Sequence, residues 1–360
     1  MIESFFTKEQ EWLDKWDNYL QETERGLYNQ LSDWIKAYDV YGFDYNFYLI
    51  TDDDKIVGGC GMVIAKFAFF KFLIVPCGPV VEKSYEDQVE KCITDLANYA
   101  KKIKCCYFQM NLPVINAGMG FHDYCLTKIN ADSYFYTGKE GTKFKYVIPL
   151  YGMRIIDLYQ KSLDEVQKNF SSNHKRNLKK SASFDFEFKL ITSDDEIEAA
   201  YECFTQNAKQ KGYPLRTYES IKNTLKEYII KDFAKIGVCV YNEKIVGAIY
   251  VMKCGNRLIY LNGGVMKEYQ DLPVSVYMHN EIIKYSIENQ YKCYDVSVGG
   301  SEGVIRFKEG FGSTLISFKD TRYWVYNTFL FSTYTVFDKR LKKHKQKIAK
   351  FLFFIKKKFN

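Results

Sequence analysis

The pentapeptide Lys55-Ile56-Val57-Gly58-Gly59 returns as Lys244-Ile245-Val246-Gly247-Ala248, and the surroundings of the two copies return with it. Ahead of each stands a polar turn, residues 52–55 in one case and Asn242-Glu243 in the other, set between runs of β-branched and aromatic residues as in a hairpin. After each comes a third apolar run (70–75 or 257–263), a stretch of helical period (85–103 or 273–289) and a short apolar strand (106–111 or 293–298). Spacing is kept too: Cys105 lies 47 residues after Gly58, and Cys293 lies 46 after Gly247. Matching order at matching offsets indicates an internally duplicated domain rather than a solenoid. Hairpins that feed a helix and then one more strand build mixed sheets, not a doubly wound parallel fold. The expected class is therefore α/β with mixed sheets, in two similar domains for which 360 residues suffice.

The remaining pattern predicts an opening helix over 3–22, a second helical stretch over 29–41 containing Gln30, Trp34 and Lys36, and strands over 47–51 and 56–64. Between the copies, Ser171-Ser172-Asn173 supply caps for a basic helix over 174–181, followed by a strand at 187–191 and a helix over 194–211. The cations of that basic helix, Lys175, Arg176, Lys179 and Lys180, form either a solvated face or contacts to a phosphate-bearing donor such as tRNA. A strand at 317–325 and an aromatic run to Phe337 follow the second copy. Low-complexity linkers are absent, so the domains are expected to pack rigidly.

Several chemistries find no residues to carry them. The ten cysteines show no CxxC and no Cys/His cluster at ligand spacing, and read as reduced thiols of a cytoplasmic protein. No metal site is expected. His122, His174, His279 and His344 stand in unrelated contexts, which argues against a catalytic triad; His279 reads as a structural imidazole inside a helix. Residues 1–10 lack an apolar core of signal-peptide length, and no uncharged apolar run is long enough to span a membrane. Of the formal net charge of +7, residues 339–360 supply +10 and the rest sums to −3, so the body is not a general nucleic-acid binder.

The stretch Gly303 to Gly312 (GVIRFKEGFG) combines a lysine between aromatics with a Gly-Phe-Gly turn, residue types that packing alone does not demand. Its FKxxFG run follows a strand end, Asp295 to Gly300, of the form D-x-x-x-G-G. With Asn29-Gln30, Trp34 and Lys36, the Pro76-Cys77-Gly78-Pro79 turn and the segment from Tyr260 to Gly264, it resembles the Fem-type peptidoglycan aminoacyltransferases over most of residues 25–325. That resemblance implies two tandem GNAT-like acyltransferase domains packed together, here 1–157 and 158–330, plus a basic C-terminal helix within 331–360. It places Lys36 in the precursor-binding cleft of the first domain and Lys308 at the transfer site of the second. The long helical hairpin of some staphylococcal members has no room here, so the chain resembles the compact, arm-less type.

The resemblance implies transfer of an amino acid from aminoacyl-tRNA to an amine of a nucleotide- or lipid-linked envelope precursor, with no cofactor. Lys308 would stabilise the oxyanion. Asp295 is either the base or a loop anchor. Tyr260, Phe307, Phe311 and Gly312 would line the reacting centre, while Trp34, Lys36 and Arg216 would hold the acceptor. Acetyl-CoA is disfavoured as donor. Where a pyrophosphate loop would lie, the second copy reads Gln270 to Ser275 and the first Val80 to Tyr85, both without glycine, and Pro273 removes one N–H. Two alternatives stay open: an acyl-CoA- or carrier-dependent N-acyltransferase acting on an amino sugar of capsule or lipopolysaccharide, and a non-catalytic module that binds envelope precursors. In the tail, Ile348, Phe351, Leu352, Ile355 and Phe359 form one helical stripe flanked by lysines, the pattern of a helix lying on an anionic inner-membrane surface. A monomer, cytoplasmic and peripheral on the inner face of the plasma membrane, is the expected form.

Overall fold

A computed structural model describes residues 1–341 apart from 68, 116–122, 128, 148, 214, 216 and 320, and without the side chains of 220 and 337–341. Arg216 and the apolar stripe of the tail lie outside the described residues. The chain forms two units, residues 1–151 with those from 317 onward, and residues 152–316. Residues 152–157 thus belong to the second unit, and residues 317–330 to the first.

Unit 1 begins with β1 (Ile2–Thr7), which pairs antiparallel with β2 (Asp44–Asp52); between them lie α1 (Gln10–Glu22) and the short α2 (Ser32–Lys36). The helix expected over 3–22 is thus a strand for its first turns, because Phe5 and Phe6 gain partners on β2 that no local helix offers. β3 (Lys55–Phe67), β4 (Phe70–Val75) and a two-residue β5 (Val80–Val81) precede α3 (Gln88–Lys102), β6 (Tyr107–Met110) and β7 (Lys139–Glu140). The sheet order is β1-β2-β3-β4-β6, then β15 (Arg322–Val325), then β7, with β5 on β3. β4 and β6 are parallel, and the other pairs are antiparallel. α3 packs Val89, Ile93, Leu96 and Ala100 against one sheet face. α10 (Thr328–Leu341) sets Phe331 and Tyr334 against aromatic rings of β4 and β6.

Unit 2 opens with β8 (Gly152–Asp157), α4 (Leu163–Lys168) and α5 (Ser172–Ser181). Next come β9 (Glu187–Ile191), α6 (Asp194–Lys211) and α7 (Tyr218–Ile230). The hairpin β10 (Ala234–Tyr241) and β11 (Lys244–Cys254) leads to β12 (Arg257–Val265), α8 (Val274–Glu288), β13 (Cys293–Asp295), α9 (Glu302–Glu309) and β14 (Thr314–Ser317). Its sheet order is β14-β8-β13-β12-β11-β10-β9. α6 and α7 bury Ile197, Ala200, Phe204 and Leu225 against β10 and β11, so both are ordinary sheet-packed helices. The single strand expected over 317–325 is instead the last residue of β14 and, after a break, β15: β14 joins β8, and β15 joins β6 and β7.

The duplication extends to backbone detail. Both hairpins turn on two residues with positive φ, Asp53 and Asp54 in one copy and Asn242 and Glu243 in the other. Each hairpin skips one residue of the repeated pentapeptide, Val57 or Val246. Each skipped carbonyl accepts a later amide, Glu82 N at 3.0 Å and Met266 N at 2.8 Å. β5 in unit 1 therefore occupies the place of the last residues of β12 in unit 2. The segment before β5, Pro76 to Pro79, interrupts what is one continuous strand in the second copy.

That interruption is held by Gln30, which is fully buried: its Nε2 donates to Cys77 O at 2.6 Å, and its Oε1 accepts from Gly61 N at 2.5 Å. Asp17 braces the same region by accepting from Ser32 N and Oγ at the start of α2. Gln30→Ala leaves a buried carbonyl and a buried amide without partners, and is expected to destabilise unit 1 by about 2–3 kcal/mol. All four tryptophans, residues 12, 16, 34 and 324, belong to unit 1, so urea unfolding followed by tryptophan fluorescence reads this loss directly.

Candidate functional site

The parallel ladder between β12 and β13 covers only Arg257–Ile259 and Cys293–Asp295. β12 runs on beside β11 to Val265, but the chain after Asp295 bends away, with φ of +59° at Ser297 and +144° at Gly300. The two strands open into a fork. Leu261 is an extra residue in β12, since the register on β11 steps from Val251↔Tyr260 to Tyr250↔Asn262; the bulge re-aims Tyr260 and Asn262 along one arm.

Lys308 spans the fork. The stretch expected to be a turn is helical as far as Glu309, and α9 delivers the lysine side chain inward, 3% exposed. Its Nζ donates to Ser297 O at 3.1 Å, Ser297 Oγ at 2.8 Å and Gly299 O at 2.7 Å on one arm. It also stands 5.6 Å from the ring centre of Tyr260 on the other. Burial pulls the Lys308 pKa down to about 8, the Asp295 carboxylate draws it back up, and the Arg154 guanidinium lowers it. At neutral pH the ammonium remains the major form.

Asp295 is a loop anchor. Its carboxylate, 4% exposed, accepts from Arg154 N at 3.0 Å and Ser297 N at 2.8 Å, fixing the point where the arm leaves the sheet. Burial raises its pKa, while the two amides and the Arg257 and Lys308 cations pull it down. Both amides engage Oδ1, which is the anchoring one of its two expected roles.

The FKxxFG run is mostly a packing device. Phe311 is fully buried against Phe170, His174 and His279, so it belongs to the core rather than to a substrate wall. Gly310 lies so close to His174 that a Cβ there would come within 2.3 Å of the ring. Gly312, with φ of +73°, would place a Cβ 2.8 Å from the Asn169 carbonyl oxygen. Phe307 remains half-buried, its ring 5.1 Å from His174 and 5.5 Å from His279. His279 Nδ1 and Tyr294 Oη lie 2.9 Å apart, and burial takes the His279 pKa down to about 3, which keeps the ring neutral.

The structure therefore gathers Asp295, Lys308, Tyr260 and Phe307 at one fork. Lys175, Arg176, Lys179 and Lys180 are exposed on α5, whose inner face carries His174 against Phe307 and Phe311 next to α9. Trp34 and Lys36 stand in unit 1: Lys36 Nζ donates to Gln10 Oε1 at 2.9 Å, and Trp34 meets Tyr28 edge-on at 4.9 Å. Sequence reasoning missed Ser297, Arg154 and the inward phase of His174. Arg154, buried on β8, has NH1 3.3 Å from Glu309 Oε1, tying the end of α9 to the sheet. Only the helical phase of α5, with His174 opposite the cations, carried any signal.

Among the described residues, unit 1 has no such fork. There Asn111 N donates to Val75 O at 3.4 Å and Asn111 O accepts from Gly78 N at 2.9 Å, so the chain's own Pro76 to Pro79 segment fills the gap between β4 and β6. In the second copy the corresponding gap, beyond Ile259 and Asp295, stays open.

Residues 168–309, which hold the fork, match the family model described as an acetyltransferase (GNAT) domain. Among curated proteins, the chain is similar to an aminoacyltransferase FemA of Staphylococcus epidermidis, 21% identical over 349 residues, covering 74% of this chain and 83% of the relative. It is also similar to the aminoacyltransferase FemA of Staphylococcus aureus strain MW2, 22% identical over 244 residues. That match covers 64% of this chain and 56% of the relative, so the chain spans just over half the length of several curated relatives. Among solved structures, the crystal structure of FemX superimposes with a TM-score of 0.71 at 14% identity, over 92% of this chain and all of that one. The structure of L-PGS from Bacillus licheniformis gives 0.54 at 13% identity, over 92% of this chain and 96% of that one.

Because Gly310 has no room for a side chain, Gly310→Ala is expected to destabilise unit 2 by about 2 kcal/mol. Hydrogen exchange of the β11 and β12 amides reads the effect, and adding His174→Ala, which vacates the clashing ring, should recover part of it.

Proposed function

We propose that the chain is a double-GNAT acyltransferase of the Fem type that moves an aminoacyl group from aminoacyl-tRNA to an amine of a peptidoglycan-type envelope precursor. The observation that carries the reading is the open fork of unit 2 with the buried Lys308 ammonium across it. An aminoacyl ester is already activated, so transfer needs positioning and charge stabilisation more than a protein nucleophile. The amine nitrogen bonds to the ester carbonyl carbon, the bond to the ribose oxygen breaks, and that departing oxygen takes up the proton that the amine gives up and leaves as the ribose hydroxyl. Lys308 already spends its N–H groups on Ser297 and Gly299, so it acts through its charge, which favours the developing oxyanion, and through the arm that it holds. Tyr260 and Phe307 wall the reacting centre.

The exposed cations of α5 serve the donor phosphates, and Trp34, Lys36 and Arg216 serve the acceptor. No cofactor takes part. Acetyl-CoA is disfavoured because α8 begins behind Pro273, in a loop without the glycine amides that hold a pyrophosphate. The protein works as a cytoplasmic monomer, peripheral on the inner face of the plasma membrane, with residues 339–360 as its basic tether.

Lys308→Met is expected to lower kcat of aminoacyl transfer about 10²–10³-fold with little change in KM. Wild-type kcat should fall as pH rises through about 8, where the ammonium loses its proton. Steady-state assays with charged tRNA and a muropeptide amine check both points. Full activity of the variant, or acylation of the same amine from acetyl-CoA in place of aminoacyl-tRNA, would overturn the reading.

A further inference from the structure

In unit 1, α10 carries apolar groups that the fold does not use. Its inner side is accounted for: Phe331 stacks on Tyr107 at 4.9 Å, and the buried Tyr334 sits against Phe70 at 5.8 Å and Phe72 at 4.7 Å. These contacts set the course of the helix, from above β6 towards β4 and the β3–β4 hairpin. Its outer side presents Phe329, 78% exposed, and two turns on Val336, 55% exposed. At the hairpin tip Phe69 is 63% exposed, with its ring 4.3 Å from Phe70, which itself touches Tyr334. One exposed phenylalanine is ordinary; three large apolar side chains around one helix and the hairpin it approaches form a patch.

The hairpin side of the patch carries positive charge alone, and on α10 a single acid, Asp338, precedes the basic residues from Lys339 onward. From Lys55 to Val81 the chain has no Asp or Glu, and Lys66 and Lys71 face each other across the hairpin just behind Phe69. Farther along the sequence, residues 339–360 hold ten Lys and Arg and no acid.

We propose that the outer side of α10 and the β3–β4 hairpin tip together form a docking surface for an anionic lipid bilayer. Phe329, Val336 and Phe69 enter the headgroup boundary, and the hairpin cations Lys66 and Lys71 meet the lipid phosphates. This rests on the membrane placement above and deepens it: a basic tail alone tethers, whereas apolar groups on the folded unit fix how that unit lies on the surface. RNA would use the cations but leave three apolar side chains in water, and a second copy of the chain would bring like charges together.

The test is co-sedimentation of the full chain with vesicles of phosphatidylglycerol and phosphatidylcholine in equal parts, against Phe69→Ser/Phe329→Ser/Val336→Ser. The substituted side chains stand mainly in water, so tryptophan-monitored stability should hold. Lipid affinity should fall roughly tenfold or more, while its salt dependence, carried by the retained cations, should persist. Transfer to a soluble acceptor fragment should be unaffected. Equal sedimentation of the variant would overturn the proposal and leave the tail as sole tether. Failure of the wild type to sediment would overturn both the proposal and the membrane placement, without touching the transfer reading. A lipid-free dimer that the variant loses would assign the patch to a second copy and overturn the proposal as well.

Discussion

A lysine as buried as Lys308 costs folding free energy unless its charge is met, and unit 2 meets it with two carbonyls, a hydroxyl and an aromatic face. Those acceptors become available because the β13 arm leaves the sheet at Asp295, turning the Ser297 and Gly299 carbonyls towards α9. Charge and fork thus require each other. Without the ammonium, the turn would present inward carbonyls with no donor. Without the turn, the ammonium would have no acceptors. Asp295 pins the hinge of the arm, and the Arg154–Glu309 pair pins the end of α9 that carries the lysine.

The two copies of the domain differ at this point and agree almost everywhere else. Hairpin turn, skipped residue and the bond from its carbonyl coincide, so the scaffold is common. In unit 1 the strand breaks at Pro76 to Pro79, and Gln30 and Asn111 satisfy the resulting backbone groups from within. A buried polar group with its partners in place has nothing left to offer a ligand. In unit 2 the bulge at Leu261 keeps the strand whole and the edge beyond Ile259 open. One ancestral frame therefore carries one closed gap and one open fork, which is why transfer is placed in the second copy alone.

Much of this was legible in the sequence, because the repeat is written in local features: turn residues, alternating strands and a helix of period 3.6 at fixed offsets. What escaped is non-local. β1 becomes a strand only by pairing with β2, some 40 residues on, and β15 joins β6 from the far end of the chain. The stretch around Lys308 stood out for an incomplete reason. Its glycines suggested a turn about a ligand, yet Gly310 and Gly312 make room for His174 and Asn169, and Phe311 is core. Residue type alone could not show the anchoring by Asp295; one of its amide partners, Arg154 N, comes from β8, 141 residues away.

The central claim is that transfer occurs at the unit 2 fork, and Asn262, half-buried on its β12 arm, allows a direct test. The ten native cysteines are all buried, so in Asn262→Cys a bulky maleimide should react at one site, within the fork. The transfer rate of that variant, measured before and after labelling, is the decisive quantity. The account predicts that labelling abolishes transfer and that bound aminoacyl-tRNA slows the labelling. Undiminished transfer by the fully labelled protein would contradict it.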